Sequence, residues 1–235
     1  MKVIYRISDG GQSKVKPEYV TKRGCFIHFI KVFKGYDIYI IADNVSDETY
    51  EFLLGYVSES KIMRTKLHNC KSFLYSVRYA IENFNESELI YLAEDDYLYL
   101  PHAPKIIEEG LTIGDYSTGY DHPDKYYNPS VGLYGGNPLI RNGGEITFVL
   151  LTESSHWKVA NSTTMTFAAS VKTLKEDYSV YEKYCTGVVP NDFQMFLELA
   201  RIPKRRKLVS SLPGVSTHGE TAWLSRLTDW GKEIN

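Results

Sequence analysis

Three consecutive acids, Glu94-Asp95-Asp96, close the apolar run Leu89-Ile90-Tyr91-Leu92-Ala93, and a second apolar run, Tyr97-Leu98-Tyr99-Leu100, follows at once. Like charges this close are costly at a strand end unless something positive meets them. A Mg²⁺ or Mn²⁺ ion would do so, because hard oxygen ligands suit these ions, and one or two carboxylates plus substrate phosphates are the usual set. The flanking apolar runs put the acids inside folded structure, not in an acidic tail. The same residues also read as a solvated turn or a helix start. His218 stands among small residues in Gly214-Val215-Ser216-Thr217-His218-Gly219-Glu220. From such a loop it can reach back as a neutral metal ligand, or it is a surface histidine.

Asn191-Asp192 opens a segment whose Phe193, Phe196, Leu197 and Ala200 share one helical face. An acid there is either a cap, favoured by the helix dipole, or a general base within reach of a hydroxyl proton. Glu176, Asp177 and Asp124 compete for the second role. Asp43-Asn44 follows an apolar strand, where an acid can accept hydrogen bonds from a ribose or a base. Ser8, Asp9, Asn69 and Ser72 are further nucleotide contacts, with turn or cap duty as the alternative. The first turn, Ser8-Asp9-Gly10-Gly11-Gln12, is not G-x-G-x-x-G, and no G-x-x-x-x-G-K-[ST] occurs, which counts against NAD-dependent and P-loop chemistry. Trp157, in His156-Trp157-Lys158, is a sugar platform or a core residue. The cluster Arg201, Lys204, Arg205, Arg206 and Lys207 is solvated surface or an anion site. There is no G-x-S-x-G elbow, no H-E-x-x-H and no four-cysteine zinc set.

The elements that must position these residues follow from periodicity. Strands are expected over Val3–Ile7, Asp37–Ala42, Lys61–Arg64, Glu88–Ala93, Asp115–Tyr120, Glu145–Leu151, Thr163–Ala169 and finally Lys207–Ser211, with Glu145–Leu151 and Thr163–Ala169 antiparallel to each other. Helices are expected over Phe26–Phe33, Thr49–Tyr56, Ser72–Phe84, Pro101–Gly110, Val171–Tyr184 and Asn191–Arg201. Residues 128 to 144 hold five Gly and two Pro and read as a loop. This alternation gives an α/β, doubly wound start, in which ligands bind beyond the carboxyl ends of the strands. The clusters after three of those strands, Ser8-Asp9, Asp43-Asn44 and Glu94-Asp95-Asp96, should therefore face one side.

A chain of 235 residues supports one full core, and 43% hydrophobic with 24% charged residues is ordinary globular composition. The 27 Lys and Arg against 29 Asp and Glu give a net charge of -2, which offers no whole-chain attraction to nucleic acid. Nineteen tyrosines suit a groove for sugars or bases, or reflect a compositional bias. Cys25, Cys70 and Cys185 form no disulfide framework. With no signal-peptide pattern and no spanning apolar run, a cytoplasmic protein without a transmembrane segment is expected, and peripheral membrane contact stays open.

Together these residues resemble the GT-A class of nucleotide-sugar glycosyltransferases, especially small bacterial and viral members. The resemblance rests on Val3–Asp9, Ile38–Asn44, the strand leading into Glu94-Asp95-Asp96 in the place of the family's D-x-D motif, the Asn191-Asp192 helix start and Ser216-Thr217-His218. It implies a GT-A-like fold, α/β and doubly wound, with a mostly parallel mixed sheet flanked by helices. It implies one domain over 1–235, with a nucleotide-binding half (1–100) and an acceptor or catalytic half (101–235). Asp96 then looks like the directly bound metal acid, Glu94 replaces the first acid of the motif, and His218 looks like a late metal ligand. Ser8, Asp9, Asp43, Asn69 and Asp95 fall to the nucleoside-diphosphate sugar, and Asp192 to the base of an inverting transfer onto a glycan, lipid-linked or other hydroxyl acceptor. Nucleotidyl transfer to a sugar phosphate, metal-dependent hydrolysis and carbohydrate binding without catalysis are the rival readings.

Overall fold

A computed structural model describes residues 1–11, 14–128, 132–133, 137, 139–140 and 144–234. Most of the glycine-rich loop at 128–144 lies outside the described residues. In chain order the elements are β1 (Lys2–Ile7), α1 (Lys22–Val32), β2 (Asp37–Asp43), α2 (Asp47–Leu54), β3 (Ile62–Thr65), α3 (Asn69–Asn83), β4 (Leu89–Glu94) and β5 (Tyr97–Tyr99). Then come α4 (Ala103–Gly110), β6 (Tyr116–Thr118), β7 (Tyr127–Asn128), β8 (Gly132–Leu133), β9 (Val149–Leu151), β10 (His156–Val159) and β11 (Phe167–Ser170). The chain ends with α5 (Val171–Tyr184), α6 (Asp192–Ala200), β12 (Leu208–Leu212), β13 (Ser216–His218) and α7 (Trp230–Glu233). The fold is α/β, with a mixed, mostly parallel sheet flanked by helices, as the alternation of strand and helix patterns requires. The chain forms two compact units, and it passes from one to the other between Asp95 and Asp96.

The first unit comprises Met1–Ser13, Phe33–Asp95 and Asn161–Arg206. Its strands lie in the order β3-β2-β1-β4-β11, the first four parallel and β11 antiparallel to β4. Strands covered on both faces need continuous apolar runs, and Ile40, Ile41 and Ala42 of β2 and Ile90, Tyr91, Leu92 and Ala93 of β4 are all fully buried. Helix α3 buries Cys70, Phe73, Val77 and Ala80, a stripe at helical spacing. Phe73 meets Phe167 and Tyr181 edge-on, and Phe167 meets Phe196 in the same way, so α3, β11, α5 and α6 share one aromatic core. Ser46 and Ser170 cap α2 and α5, accepting hydrogen bonds from the backbone N–H groups of Thr49 and Thr173.

The second unit comprises Lys14–Val32, Asp96–Ala160 and Lys207–Asn235. Its strands run β6-β12-β10-β9, with β6 and β12 parallel and the other two pairings antiparallel. A separate antiparallel ribbon joins β5 to β13, pairing Tyr97 with His218, Leu98 with Thr217 and Tyr99 with Ser216. Val20, Cys25, Leu98 and Trp230 form a core beneath that ribbon. The last residue of α4 has to be glycine, because a Cβ on Gly110 would stand 2.6 Å from the Trp157 ring and 2.2 Å from Ser117 Oγ.

Two expectations need correction, and one open reading closes. Glu145–Leu151 and Thr163–Ala169 do not pair: β9 is a three-residue strand against β10, and β11 joins β4. Residues 156–159 form strand β10, and of the two readings of Trp157, sugar platform or core, the wholly buried side chain is core. Lys207–Ser211 is not the last strand, since β13 follows β12.

At the amino edge of the parallel strands, Asp37 is held by Lys61, by Lys2 at 3.0 Å and by the Tyr39 hydroxyl at 3.0 Å. The Lys61 hydrogen bond is the largest influence; Lys2 and Tyr39 add to it, partial burial opposes it, and the carboxyl is lowered from 3.8 to about 2. A carboxyl depressed in the folded state stabilises above its unfolded value, and that stability is lost as pH falls through the folded value. An Asp37→Asn variant should therefore be less stable than wild type at neutral pH, with the gap closing between pH 3.8 and about 2. Urea unfolding across that range checks it, and a gap independent of pH would show that the ion pairs contribute nothing.

Candidate functional site

Because β1, β2 and β4 are parallel, Ser8-Asp9, Asp43-Asn44 and Glu94-Asp95 leave the sheet at one edge. The organising group there is Arg6, only 7% exposed. Its Nη2 donates to Glu94 Oε1 at 2.9 Å, and its Nη1 donates to Asn69 Oδ1 at 3.1 Å and Ser72 Oγ at 3.3 Å. The guanidinium also lies over the Phe73 ring, 5.5 Å from its centroid. The other oxygen of Glu94 accepts the Thr166 hydroxyl at 3.0 Å. Both oxygens of Glu94 are thus already engaged within the first unit. Sequence reasoning passed over Arg6, although a lone arginine inside the apolar strand Val3–Ile7 was the signal for it.

Asp95 Oδ2 accepts the Ser8 backbone N–H at 2.9 Å, which ties the loop after β1 to the turn after β4. Asp9 accepts the Ser46 N–H at 2.6 Å and the Thr49 hydroxyl at 2.7 Å. Asp43, 4% exposed, accepts from the Thr65 hydroxyl, the Leu67 N–H and the Asn44 side-chain amide. Asn44 itself takes a left-handed backbone, φ 52°, which Asn tolerates. Asp9 and Asp43 therefore order the loops that follow β1 and β2.

Asn191, not Asp192, caps α6: its side chain accepts from Gln194 N–H at 3.3 Å. Asp192 Oδ1 accepts from the Phe193 N–H at 2.7 Å. The Cys185 thiol is pushed up to about 12, mainly by burial, with Cys70 and Asp192 adding and Arg6 opposing. Asp192 and Arg6 thus act on the same thiol. The competing acids are otherwise occupied. Arg206 donates to both oxygens of Asp177, at 2.7 and 3.1 Å, and to Glu176 at 2.6 Å, and Lys204 lies 3.0 Å from Asp177. Two of the five basic residues that sequence left open as an anion site, Lys204 and Arg206, are engaged by these two acids.

In the second unit, the β5–β13 ribbon sets Asp96 beside His218. The Gly219 N–H donates to the Asp96 carbonyl at 2.7 Å, and a Cβ on Gly219 would stand 2.6 Å from that oxygen, so glycine is needed there. His218 Nε2 lies 3.1 Å from Asp96 Oδ2, and Lys16 Nζ donates to the same oxygen at 2.7 Å. On its other side His218 Nδ1 is 3.3 Å from Glu220, which also pairs with Lys14. Burial alone would raise the Asp96 carboxyl; His218 and Lys16 reverse this and hold it well below the usual carboxylate range. The Tyr97 and Tyr120 rings lie near the imidazole, with centroids 5.3 and 6.4 Å away, and the Tyr120 hydroxyl donates to the Trp223 carbonyl at 2.6 Å. Asp124, the third competing acid, is paired with His122 at 2.9 Å and Lys125 at 3.3 Å.

Among the described residues, no set of three or more His, Cys, Asp or Glu side chains is arranged to hold a metal ion. Asp96 and His218 make a pair. Such a pair fits an ion that takes its other ligands from phosphates and water, and does not amount to an all-protein cage.

No family model and no curated protein matches the sequence. Solved structures do match. GalNAc-T7 with UDP, GalNAc and Mn²⁺ aligns with a TM-score of 0.55 and 9% identity, over 92% of this chain and 42% of that one. The inositol-1-phosphate CTP transferase from T. maritima gives a TM-score of 0.49 and 14% identity, over 99% and 95%. The 4-diphosphocytidyl-2C-methyl-D-erythritol synthase from Anaerococcus prevotii DSM 20548 gives 0.46 and 14%, over 99% and 92%. The chain thus shares its overall fold with GalNAc-T7. At these identities the likeness concerns the fold alone.

The Arg6 network yields a stability prediction. Removing one partner of a buried pair leaves the other uncompensated, which costs about 3–5 kcal/mol. Arg6→Ala should lose about that much in urea unfolding, and Arg6→Lys less, because an ammonium keeps the charge without the fork that spans Glu94, Asn69 and Ser72. A loss below about 1 kcal/mol would place this pair with weak surface bridges.

Proposed function

We propose that the protein is a nucleotide-dependent transferase acting on an activated sugar, and that it moves the sugar from a nucleoside diphosphate to an acceptor hydroxyl. The observation that carries the reading is Asp192. Asn191 supplies the N-cap while Asp192 Oδ1 accepts the Phe193 N–H, so a carboxylate stands in the first turn of α6, and a transfer to a hydroxyl needs one as base. Asp43, Asp9, Ser8, Asn69 and Asp95, at the carboxyl edge of the parallel strands, are the proposed nucleotide contacts, direct or through the loops they order. Asp96 and His218 are the proposed ligands of a Mn²⁺ or Mg²⁺ ion. When bound, the ion would neutralise charge growing on the diphosphate leaving group. Glu94, tied to Arg6 and Thr166, is assigned to orienting the turn. Asp192 takes the proton from the attacking hydroxyl, and the sugar inverts at its anomeric carbon.

A second reading has an observation of its own. Lys14 and Lys16 bring two ammonium groups to the segment just after β1, both in contact with acids that neighbour His218. Charge of that kind suits a nucleoside triphosphate, and the reaction would then be nucleotidyl transfer to a sugar phosphate.

Products separate the two. The protein would be incubated with a panel of nucleoside-diphosphate sugars and, separately, with nucleoside triphosphates plus sugar phosphates. Release of a nucleoside diphosphate supports sugar transfer; release of pyrophosphate supports the second reading. For sugar transfer, Asp192→Asn should keep nucleotide affinity within about twofold and lower kcat by at least about a hundredfold, the usual worth of a general base. Unchanged turnover in that variant would remove Asp192 from the chemistry.

A further inference from the structure

Lys16 donates to the oxygen of Asp96 that also faces His218. Its Nζ is 2.7 Å from Asp96 Oδ2, and His218 Nε2 is 3.1 Å from the same atom. The three side chains are 24%, 16% and 14% exposed, so the ammonium sits in a largely closed place, where its charge is weakly screened. Lys14 makes the matching contact with Glu220, on the other side of His218. One short segment thus sets an ammonium on each of the two carboxylates that bracket the imidazole.

A divalent ion bound by Asp96 and His218 needs that Oδ2 oxygen, or at least needs the neighbouring ammonium to leave it. Two cations at one carboxylate oxygen repel strongly in a partly buried site. The ammonium gives up its partner without loss only where a new anion replaces it, and a diphosphate supplies one. We propose that Lys16 is a tethered cation that holds the ligand oxygen of Asp96 against free metal, so that the divalent ion is taken up only together with a phosphate-bearing ligand. The proposal rests on the reading of Asp96 and His218 as the ion's ligands. Metal and diphosphate would then each tighten the other's binding by the same factor, as linkage requires.

The test is Mn²⁺ binding without nucleotide, read from the signal of free Mn²⁺ by electron paramagnetic resonance and repeated by equilibrium dialysis. Wild type should bind Mn²⁺ weakly. Lys16→Met, and Lys16→Gln as a second form lacking the charge, should bind it at least about tenfold more tightly, since the competitor for the oxygen is gone. Lys16→Arg should stay weak. Lys14→Met, which removes a charge of the same sign from Glu220 and not from Asp96, should change the affinity by less than about threefold, because the effect belongs to one oxygen. Thermal melts of each variant confirm folding. If wild type binds Mn²⁺ and neither uncharged Lys16 variant binds it more tightly, or if Lys14→Met matches them, the tethered-cation proposal is overturned while the metal pair stands. If none of these proteins binds Mn²⁺ at millimolar concentration, the metal pair falls and the proposal with it.

Discussion

The buried guanidinium of Arg6 is the constraint from which the first unit's site edge follows. An arginine carries five N–H donors and cannot shed its charge, so a strand that buries one must surround it with acceptors. Those acceptors come from two places: Glu94 at the end of β4, and Asn69 and Ser72 in the first turn of α3. Thr166, just before β11, holds the far side of Glu94. One side chain therefore fixes the end of β4 and the start of α3, and with β4 it fixes the point from which the acidic turn departs. A hydrophobic residue at the same position would pack, but it would leave Glu94 and the α3 side chains without a common partner.

The second unit reaches a similar result through backbone pairing. The β5–β13 ribbon brings the residue before Tyr97 to the residue after His218, and the Gly219 N–H to Asp96 carbonyl bond extends the ladder by one step. Ribbon register, not side-chain attraction, is what puts imidazole next to carboxylate. The alternation Lys14, Glu220, His218, Asp96, Lys16 then neutralises each charge locally. Burial would otherwise push the Asp96 carboxyl upward, and the network lets it stay ionised.

How far the sequence could be read depended on the range of the interactions involved. The parallel strands and their helices announced themselves because a strand buried on both faces has to be apolar throughout, as Ile40-Ile41-Ala42 is, and because the α3 stripe is local. The short strands β5, β10 and β13 did not: His156–Val159 and Ser216–His218 carry polar residues, and their extended form comes from partners far along the chain. The same limit governed the site. That Asp43, Asp9 and Glu94 follow parallel strands was legible, whereas the Arg6–Glu94 pair spans 88 residues and the His218–Asp96 contact 122, and no local pattern encodes either. Asn191 and Asp192 show the finer limit: both types cap helices well, and only the geometry shows which one does.

The three adjacent acids meet three different partners, and this narrows what any metal would be needed for. From sequence, the repulsion within Glu94-Asp95-Asp96 was itself an argument for a cation. In the folded chain Glu94 meets a guanidinium, Asp95 meets the Ser8 N–H, and Asp96 meets an ammonium and an imidazole. The cost of placing like charges together is offset by the protein's own donors, so charge density alone no longer calls for an ion. What His218 and Asp96 add is chemical type: an imidazole nitrogen and a carboxylate oxygen meet at one point, with the Tyr97 and Tyr120 rings nearby and a lysine already compensating the charge. A site arranged in this way lowers the cost of being without metal. An ion proposed for this pair would have to displace that compensation, and would do so most readily together with an anion.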